Sequence, residues 1–425
     1  MPASMIPSAS SSSWLSRAAA RFSVIPALLA IGLLSGCGTE SGPKLPPPPP
    51  PAVQAQGPVA QHPLAGEEPG FVRLGNMNPN RVPVRIGMLL PFNDGSAATR
   101  ALAASMMKSA ELAVFDSGNP DILLITADEG STPEASAEAA RSLLAQGAEI
   151  IVGPLFAQAT EAVGPIARDR GVPVISFSTD RKVAGNGVYL LSFLPEGEVH
   201  RVISYAAAQG HKQYAALVPE NVYGQRVGDY FRDDVKASGG AVTDVEKYVP
   251  SAEGIGAPSH AVAATKPDAI LIAQGGPLLK ELASSLAAAG VNVGQTQLMG
   301  TGLWDDQTTS KDPMLVGGLF AAPSPDANAS YEVKYHSVYG LSPPALSSLA
   351  YDAVSLVALL STGTPYKRFT RQALTDPNGF AGVGGIFRFL PDGTSERGLA
   401  VMAVQPGGGF HIVSPAPKTF QAQGS

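Results

Sequence analysis

The sequence predicts an α/β protein of two doubly wound parallel-sheet lobes. Short apolar runs rich in β-branched residues alternate strictly with segments of helical length from Val84 to Phe193, the pattern of a parallel sheet with right-handed crossovers. The alternation restarts after Leu194 and continues to Gly300, which gives a second lobe. The runs are apolar on both faces, as strands covered by helices on each side require. A chain of 425 residues with 44% hydrophobic content can fill two such cores, and a charged fraction of 15% argues against global disorder.

Residues 1–36 read as a targeting segment. Arg17 and Arg21 precede an apolar run, Val24 to Leu34, that is too short and proline-interrupted to span a bilayer comfortably. It ends in Leu34-Ser35-Gly36-Cys37, which resembles the bacterial lipobox and so implies an acylated Cys37 as the first mature residue. Gly38 follows, not the aspartate that holds many such lipoproteins at the inner membrane. The resemblance thus implies a lipid-anchored protein on the periplasmic side of the cell envelope, with the outer membrane favoured. Cys37 is the only cysteine, so no disulfide forms within a monomer. The net charge of −6 becomes more negative once Arg17 and Arg21 are removed, which argues against nucleic acid as a partner. Residues 37–83 show no hydrophobic period and include the proline run Pro46 to Pro51. They read as a tether that reaches on the order of 150 Å when pulled straight.

The folded body opens on Val84 to Leu90, a strand stopped by Pro91. An amphipathic helix, Ala97 to Asp116, a strand, Asp121 to Ala127, and a helix, Pro133 to Gln146, follow. The stretch Ala148 to Asp180 then forms a βαβ unit whose strands, Glu149 to Val152 and Val172 to Phe177, stop at Gly153 and at Ser178-Thr179. Ligands of open parallel sheets bind beyond such carboxyl ends, which marks these residues as a cleft. Ser178 and Thr179 would serve equally well to turn the chain after a strand. Val188 to Phe193 ends the first run of elements. The second lobe comprises helix Glu196 to Gln209, strand Gln213 to Val218, helix Tyr223 to Ser238 and strand Ala241 to Tyr248. Strand Asp268 to Ala273, helix Pro277 to Ala289 and strand Gln297 to Gly300 complete it. A strand at Gly317 to Ala322, two helical segments within Ala327 to Leu360 and a β-rich end, Gly385 to Val413, are shared between the lobes.

The pieces VRIGMLLP, STPEASAEAARSLLAQGAEIIVGP, GVPVISFST, NVYGQRVGDYFRDDVKASGGAV and KPDAILIAQGG, in this order, resemble the type 1 periplasmic binding proteins of the leucine/isoleucine/valine-binding kind over about residues 84–415. Ile151-Val152-Gly153-Pro154 with its helix, and Tyr223-Gly224 before Gly239-Gly240, carry the resemblance most specifically. It implies two lobes that close on a ligand and are joined by three crossovers, near Leu194, Thr301 and Gly379. Lobe 1 then takes about 84–193 and 302–378, lobe 2 about 194–301 and 379–415, and 416–425 is a tail. The resemblance places Gly153, Pro154, Leu155, Phe156, Ser178 and Thr179 on one side of the cleft, and Tyr223, Gln274, Gly275 and Thr301 on the other. Amino-acid binders also need an anion for the substrate ammonium, because a buried unpaired cation is costly. Here the loop after Gly300 reads Thr301-Gly302-Leu303-Trp304, with Asp305 and Asp306 only later, and Arg181 and Lys182 add the wrong sign at the other lip. This argues against a free α-amino acid.

The lipobox, the proline-rich spacer and the terminal GGIFRFLPDGTSERGLAVMAV resemble, more narrowly, lipoproteins known as penicillin-binding-protein activators. That resemblance implies stimulation of a peptidoglycan synthase, although residues 37–83 are too short for the helical-repeat domain of the enteric members. Catalysis finds no support, since H-E-x-x-H, G-x-S-x-G and Walker A patterns are absent. Ser105-Met106-Met107-Lys108 satisfies S-x-x-K without a K-T-G to complete it. No metal or cofactor is implied. Gly382-Val383-Gly384-Gly385 reads as a tight strand entry, and Trp304 as interlobe packing in preference to a lid. Two functions from different classes follow. One is a tethered regulator whose partner is a peptidoglycan synthase, favoured because a tether raises effective concentration for one partner within reach. The other is the solute-binding component of an ABC-type importer, whose partner is a permease and whose interlobe cleft holds a small ligand.

Overall fold

The computed structural model describes residues 70–78 and 80–420. The targeting segment, Cys37 and the proline run lie outside the described residues. The first lobe begins with β1 (Phe71–Arg73), β2 (Val84–Leu90), α1 (Ala97–Ser117), β3 (Ile122–Asp128), α2 (Pro133–Ala145) and β4 (Ile150–Val152). It continues through α3 (Ala157–Asp169), β5 (Val174–Ser176) and β6 (Val188–Leu190). Its sheet runs in the order β1-β3-β2-β4-β5-β6, parallel except for β1. β2 and β4 are neighbours although β3 lies between them in sequence, so the winding reverses there and opens a crevice at their carboxyl ends.

The second lobe holds α4 (Pro195–Ala208), β7 (Gln213–Pro219), α5 (Val222–Ala237), β8 (Ala241–Tyr248), α6 (Gly256–Ala264) and β9 (Ala269–Ile272). It continues with α7 (Pro277–Ala288), β10 (Gln297–Gly300), α8 (Gln307–Ser310) and β11 (Leu319–Ala322). The chain then returns to the first lobe with α9 (Pro325–Tyr339), α10 (Ser347–Leu359), α11 (Arg371–Leu374), β12 (Phe380–Gly382), β13 (Gly385–Phe389) and β14 (Ser395–Arg397). It ends in the second with β15 (Ala400–Val404) and β16 (Phe410–Ser414), giving the sheet order β16-β15-β11-β10-β9-β7-β8.

Each sheet is packed on both faces, which is why its strands read as continuous apolar runs. In the first lobe, Met106, Met107 and Ala110 of α1 join Ala353, Val354 and Val357 of α10 over one face, while Leu143 and Val163 of α2 and α3 cover the other. Local signals set the helix ends. Ser96 caps α1 by accepting the Thr99 N–H, Thr132 caps α2 ahead of Pro133, and Asn221 caps α5 through the Gly224 N–H. Gly224 must lack a side chain, because a Cβ there would stand 1.9 Å from the Pro219 carbonyl oxygen.

Three boundaries differ from those expected. The body starts before Val84: β1 pairs antiparallel with β3, and Val72 is buried in the first core. The second crossing is not at Thr301. Trp304 and Leu315 pack in the second-lobe core with Phe320, and β11 pairs with β10, so the chain leaves only at Pro323. The third crossing is not at Gly379, because Phe380, Phe387 and Phe389 lie in the first-lobe core and the chain re-enters the second at Leu399. Residues 302–322 therefore belong to the second lobe and 379–397 to the first. The first crossing lies between Leu190 and Pro195.

Candidate functional site

At the carboxyl ends of the first sheet, several of the donors expected to face a ligand are engaged within the chain. Glu129 is fully buried and accepts the N–H of Leu155 at 2.8 Å and of Phe156 at 3.0 Å. Burial without a cation pushes its carboxyl up to about 7, against those two hydrogen bonds, with Asp128 and Asp94 adding to the rise. Gly153 has φ 98° and packs so closely on β2 that a Cβ would stand 1.9 Å from the Leu89 carbonyl oxygen. The Pro154 carbonyl accepts from the Phe177 N–H and the Ser176 hydroxyl. Ser178 turns the chain: its Oγ accepts the Asp180 N–H, and its own N–H donates to Ser176 Oγ.

Two of the expected residues, Thr179 and Tyr223, line an interlobe cleft of about 760 Å³. The Tyr223 hydroxyl is hydrogen-bonded to Thr301 Oγ1 at 2.8 Å, and Thr301 itself is fully buried and caps the turn after β10. Burial raises the Tyr223 phenol well above its ordinary value, so it stays a neutral hydroxyl. Gln274 is committed to Tyr248 and the Gly275 carbonyl, and a Cβ on Gly275 would meet the Leu303 carbonyl.

The rest of the cleft was not expected. Phe193, Pro323 and Leu346 form its first-lobe and hinge side, Val222 and Leu303 its second-lobe side. Three carboxylates enter it: Glu198 from the first turn of α4, Asp305 after β10, and Glu332 from α9. Glu198 Oε2 accepts the Gly302 N–H at 2.9 Å, and burial lifts its carboxyl to about 7 with Glu196 adding. Asp305 is also raised, by burial first and then by Asp306 and Glu332.

One flank of the cleft is bridged. Arg226 of α5 donates to the Thr179 carbonyl at 3.1 Å and pairs with Asp180. Arg181 joins Glu196 at 3.4 Å and Asp392 at 2.9 Å. A larger groove, about 920 Å³, lies beside β1 and α2 at the far edge of the first sheet, away from the interlobe surface. Trp304 is fully buried with its indole N–H on the Ile272 carbonyl at 3.3 Å, so it packs the second core and is no lid. The S-x-x-K pair makes no nucleophile and base, since the Ser105 hydroxyl donates to the Ala101 carbonyl and the Lys108 amine lies over the Tyr339 ring.

The architecture agrees with comparisons to known proteins. A putative branched-chain amino acid ABC transporter protein from Rhodospirillum rubrum has a similar structure, at TM-score 0.70 and 20% identity over 78% of this chain and 100% of that one. So does an ABC transporter substrate-binding protein from Desulfitobacterium hafniense in complex with Leu, at TM-score 0.58, 19% identity, and 78% and 100% coverage. A solute-binding protein from R. palustris in complex with benzoate gives TM-score 0.55 and 18% identity over 80% of this chain and 98% of its own. Among curated proteins, an uncharacterized protein of Rickettsia prowazekii (strain Madrid E) is 23% identical over 131 residues, 31% of this chain and about a third, 35%, of that protein. These structures share the two-lobed α/β fold of this chain. The family model described as "Periplasmic binding protein" matches residues 83–409, and the chain belongs to that family.

Proposed function

We propose that this protein is the non-catalytic solute-binding component of an ABC-type importer, taking a small organic ligand between its lobes. The observation that carries this reading is the interlobe cleft of about 760 Å³, where apolar walls meet a few polar groups. The solved relatives named with leucine and with benzoate support it. Deletion of the gene should abolish uptake of a defined solute that the purified chain binds, and uptake at the wild-type rate would sink the reading. Cys37 anchors the protein by its lipid, with the outer membrane favoured, because each buried CH₂ of an acyl chain contributes about 0.8 kcal/mol. Cys37→Ala should move the chain from washed membranes to the soluble fraction. The proline-rich tether favours a second reading, activation of a peptidoglycan synthase within its reach. That reading requires a purified synthase to bind the chain and polymerise faster.

A further inference from the structure

We propose that the interlobe cleft receives an organic cation with an apolar body, its ammonium group held between Asp305 of the second lobe and Glu332 of the first. The inference rests on the cleft being the ligand site and adds the chemical class of the ligand. Several donors that could meet a carboxylate ligand are already engaged within the chain. The N–H groups of Leu155 and Phe156 are held by Glu129, that of Gly302 by Glu198, and the Arg226 guanidinium by Asp180 and the Thr179 carbonyl. An anion entering here would meet the carboxylates of Glu198, Asp305 and Glu332 at the cost of like-charge repulsion.

A cation meets the opposite balance. No described cation pairs with Asp305 or Glu332, and the Asp305 carboxyl is raised by burial first, then by Asp306 and by Glu332. Around these acceptors, Val222, Leu303 and Leu346 stand 68%, 49% and 39% exposed, apolar side chains waiting for an apolar body. Because the two carboxylates come from opposite lobes, a cation between them also removes a repulsion that opposes closure. Binding and closure are thereby coupled through the difference in affinity of the open and closed states.

The test titrates the full chain calorimetrically near neutral pH with benzylammonium and benzoate, which share a ring and differ in charge, and with leucine. Benzylammonium should bind at least about tenfold tighter than benzoate. The double variant Asp305→Asn, Glu332→Gln should lose that preference while keeping the wild-type melting profile. Tighter binding of benzoate or leucine, no binding of benzylammonium at millimolar concentration, or an unchanged preference in the double variant would overturn the cation assignment. The importer reading would survive any of these, since it falls only if the deletion strain takes up, at the wild-type rate, a solute that the chain binds.

Discussion

Glu129 Oε2 accepts the backbone N–H of Leu155 at 2.8 Å, and its other oxygen accepts that of Phe156. These N–H groups open α3, whose N-cap Phe156 has no side-chain acceptor of its own. The free donors of a helix start favour an anion, and here the chain supplies it from the end of β3. The α3 end of the crevice at the switch between β2 and β4 is thus met by the protein's own carboxylate, with a smaller pocket of about 220 Å³ beside it. The open space lies further out, against α9 and the hinge.

That arrangement sets a pH dependence. Glu129, Glu111 and Glu198 each have a carboxyl pushed up to about 7, by burial above all, from an ordinary 4.5. A group that holds its proton more tightly when folded contributes stability that is full below the unfolded pKa and is lost as pH rises through the folded one. Stability carried by these groups should therefore fall between about pH 5 and about pH 8, by on the order of 3 kcal/mol for the fully buried Glu129. Glu129→Gln should flatten the slope while costing about 1 kcal/mol or more at the acid end, where an amide N–H would face a backbone N–H. Thermal melts of both proteins across this range check it, and identical slopes would contradict it.

Gly153→Ala should destabilise by about 3 kcal/mol or more. At φ 98° an L side chain is strained, and the new Cβ would overlap the Leu89 carbonyl. β2 and β4 would have to separate at the centre of the first sheet. Urea unfolding measures the loss, and a midpoint shift within error would show that the strands can yield there.

The strands and helices were legible because burial on both faces leaves a strong apolar signal in each run. Three-residue elements such as β1 have no period to read, which hid the true start of the body. The crossings were misplaced for a different reason: Trp304 and Phe387 are as apolar as residues of either core, and nothing local says which one they fill. Of the expected residues that line the cleft, Thr179 was read from its place at the carboxyl end of a strand and Tyr223 from the family resemblance of its motif. In sequence Glu198 is one acidic residue among others in the first turn of a helix and Glu332 one charged residue among others on a helix, with no local mark of a site. Only the tertiary fold turns both toward the same space.

The Asp352–Arg397 pair should prove more sensitive than other ion pairs of the protein. The two side chains are 1% and 4% exposed and lie 3.3 Å apart, with the Val383 N–H also on Asp352. The guanidinium stacks over Phe193 and Phe387, close to the third crossing. Removing one partner leaves a buried charge uncompensated, so Asp352→Ala or Arg397→Met should each cost about 3–5 kcal/mol. The double variant should cost clearly less than the two together, because neither charge is then stranded. Additive losses in denaturant unfolding would mean that the pair is not coupled.

The Arg226–Asp180 bridge should act on shape more than on stability. Its side chains are 25% and 29% exposed, so solvent screens the attraction and Arg226→Gln should cost under about 1 kcal/mol. Yet Arg226 lies on α5 in the second lobe, while Asp180 and the Thr179 carbonyl follow β5 in the first, so the bridge ties the lobes directly on one flank of the cleft. Losing it leaves Arg181–Glu196 as the remaining described ion pair across that flank. Small-angle scattering should therefore give a larger radius of gyration for Arg226→Gln than for the wild type at low salt. Raising the salt should bring the wild type toward the variant, because the screening length shortens to about 3 Å at molar ionic strength. Equal radii at low salt, with the expected small loss in stability, would mean that the three crossovers alone set the lobe angle.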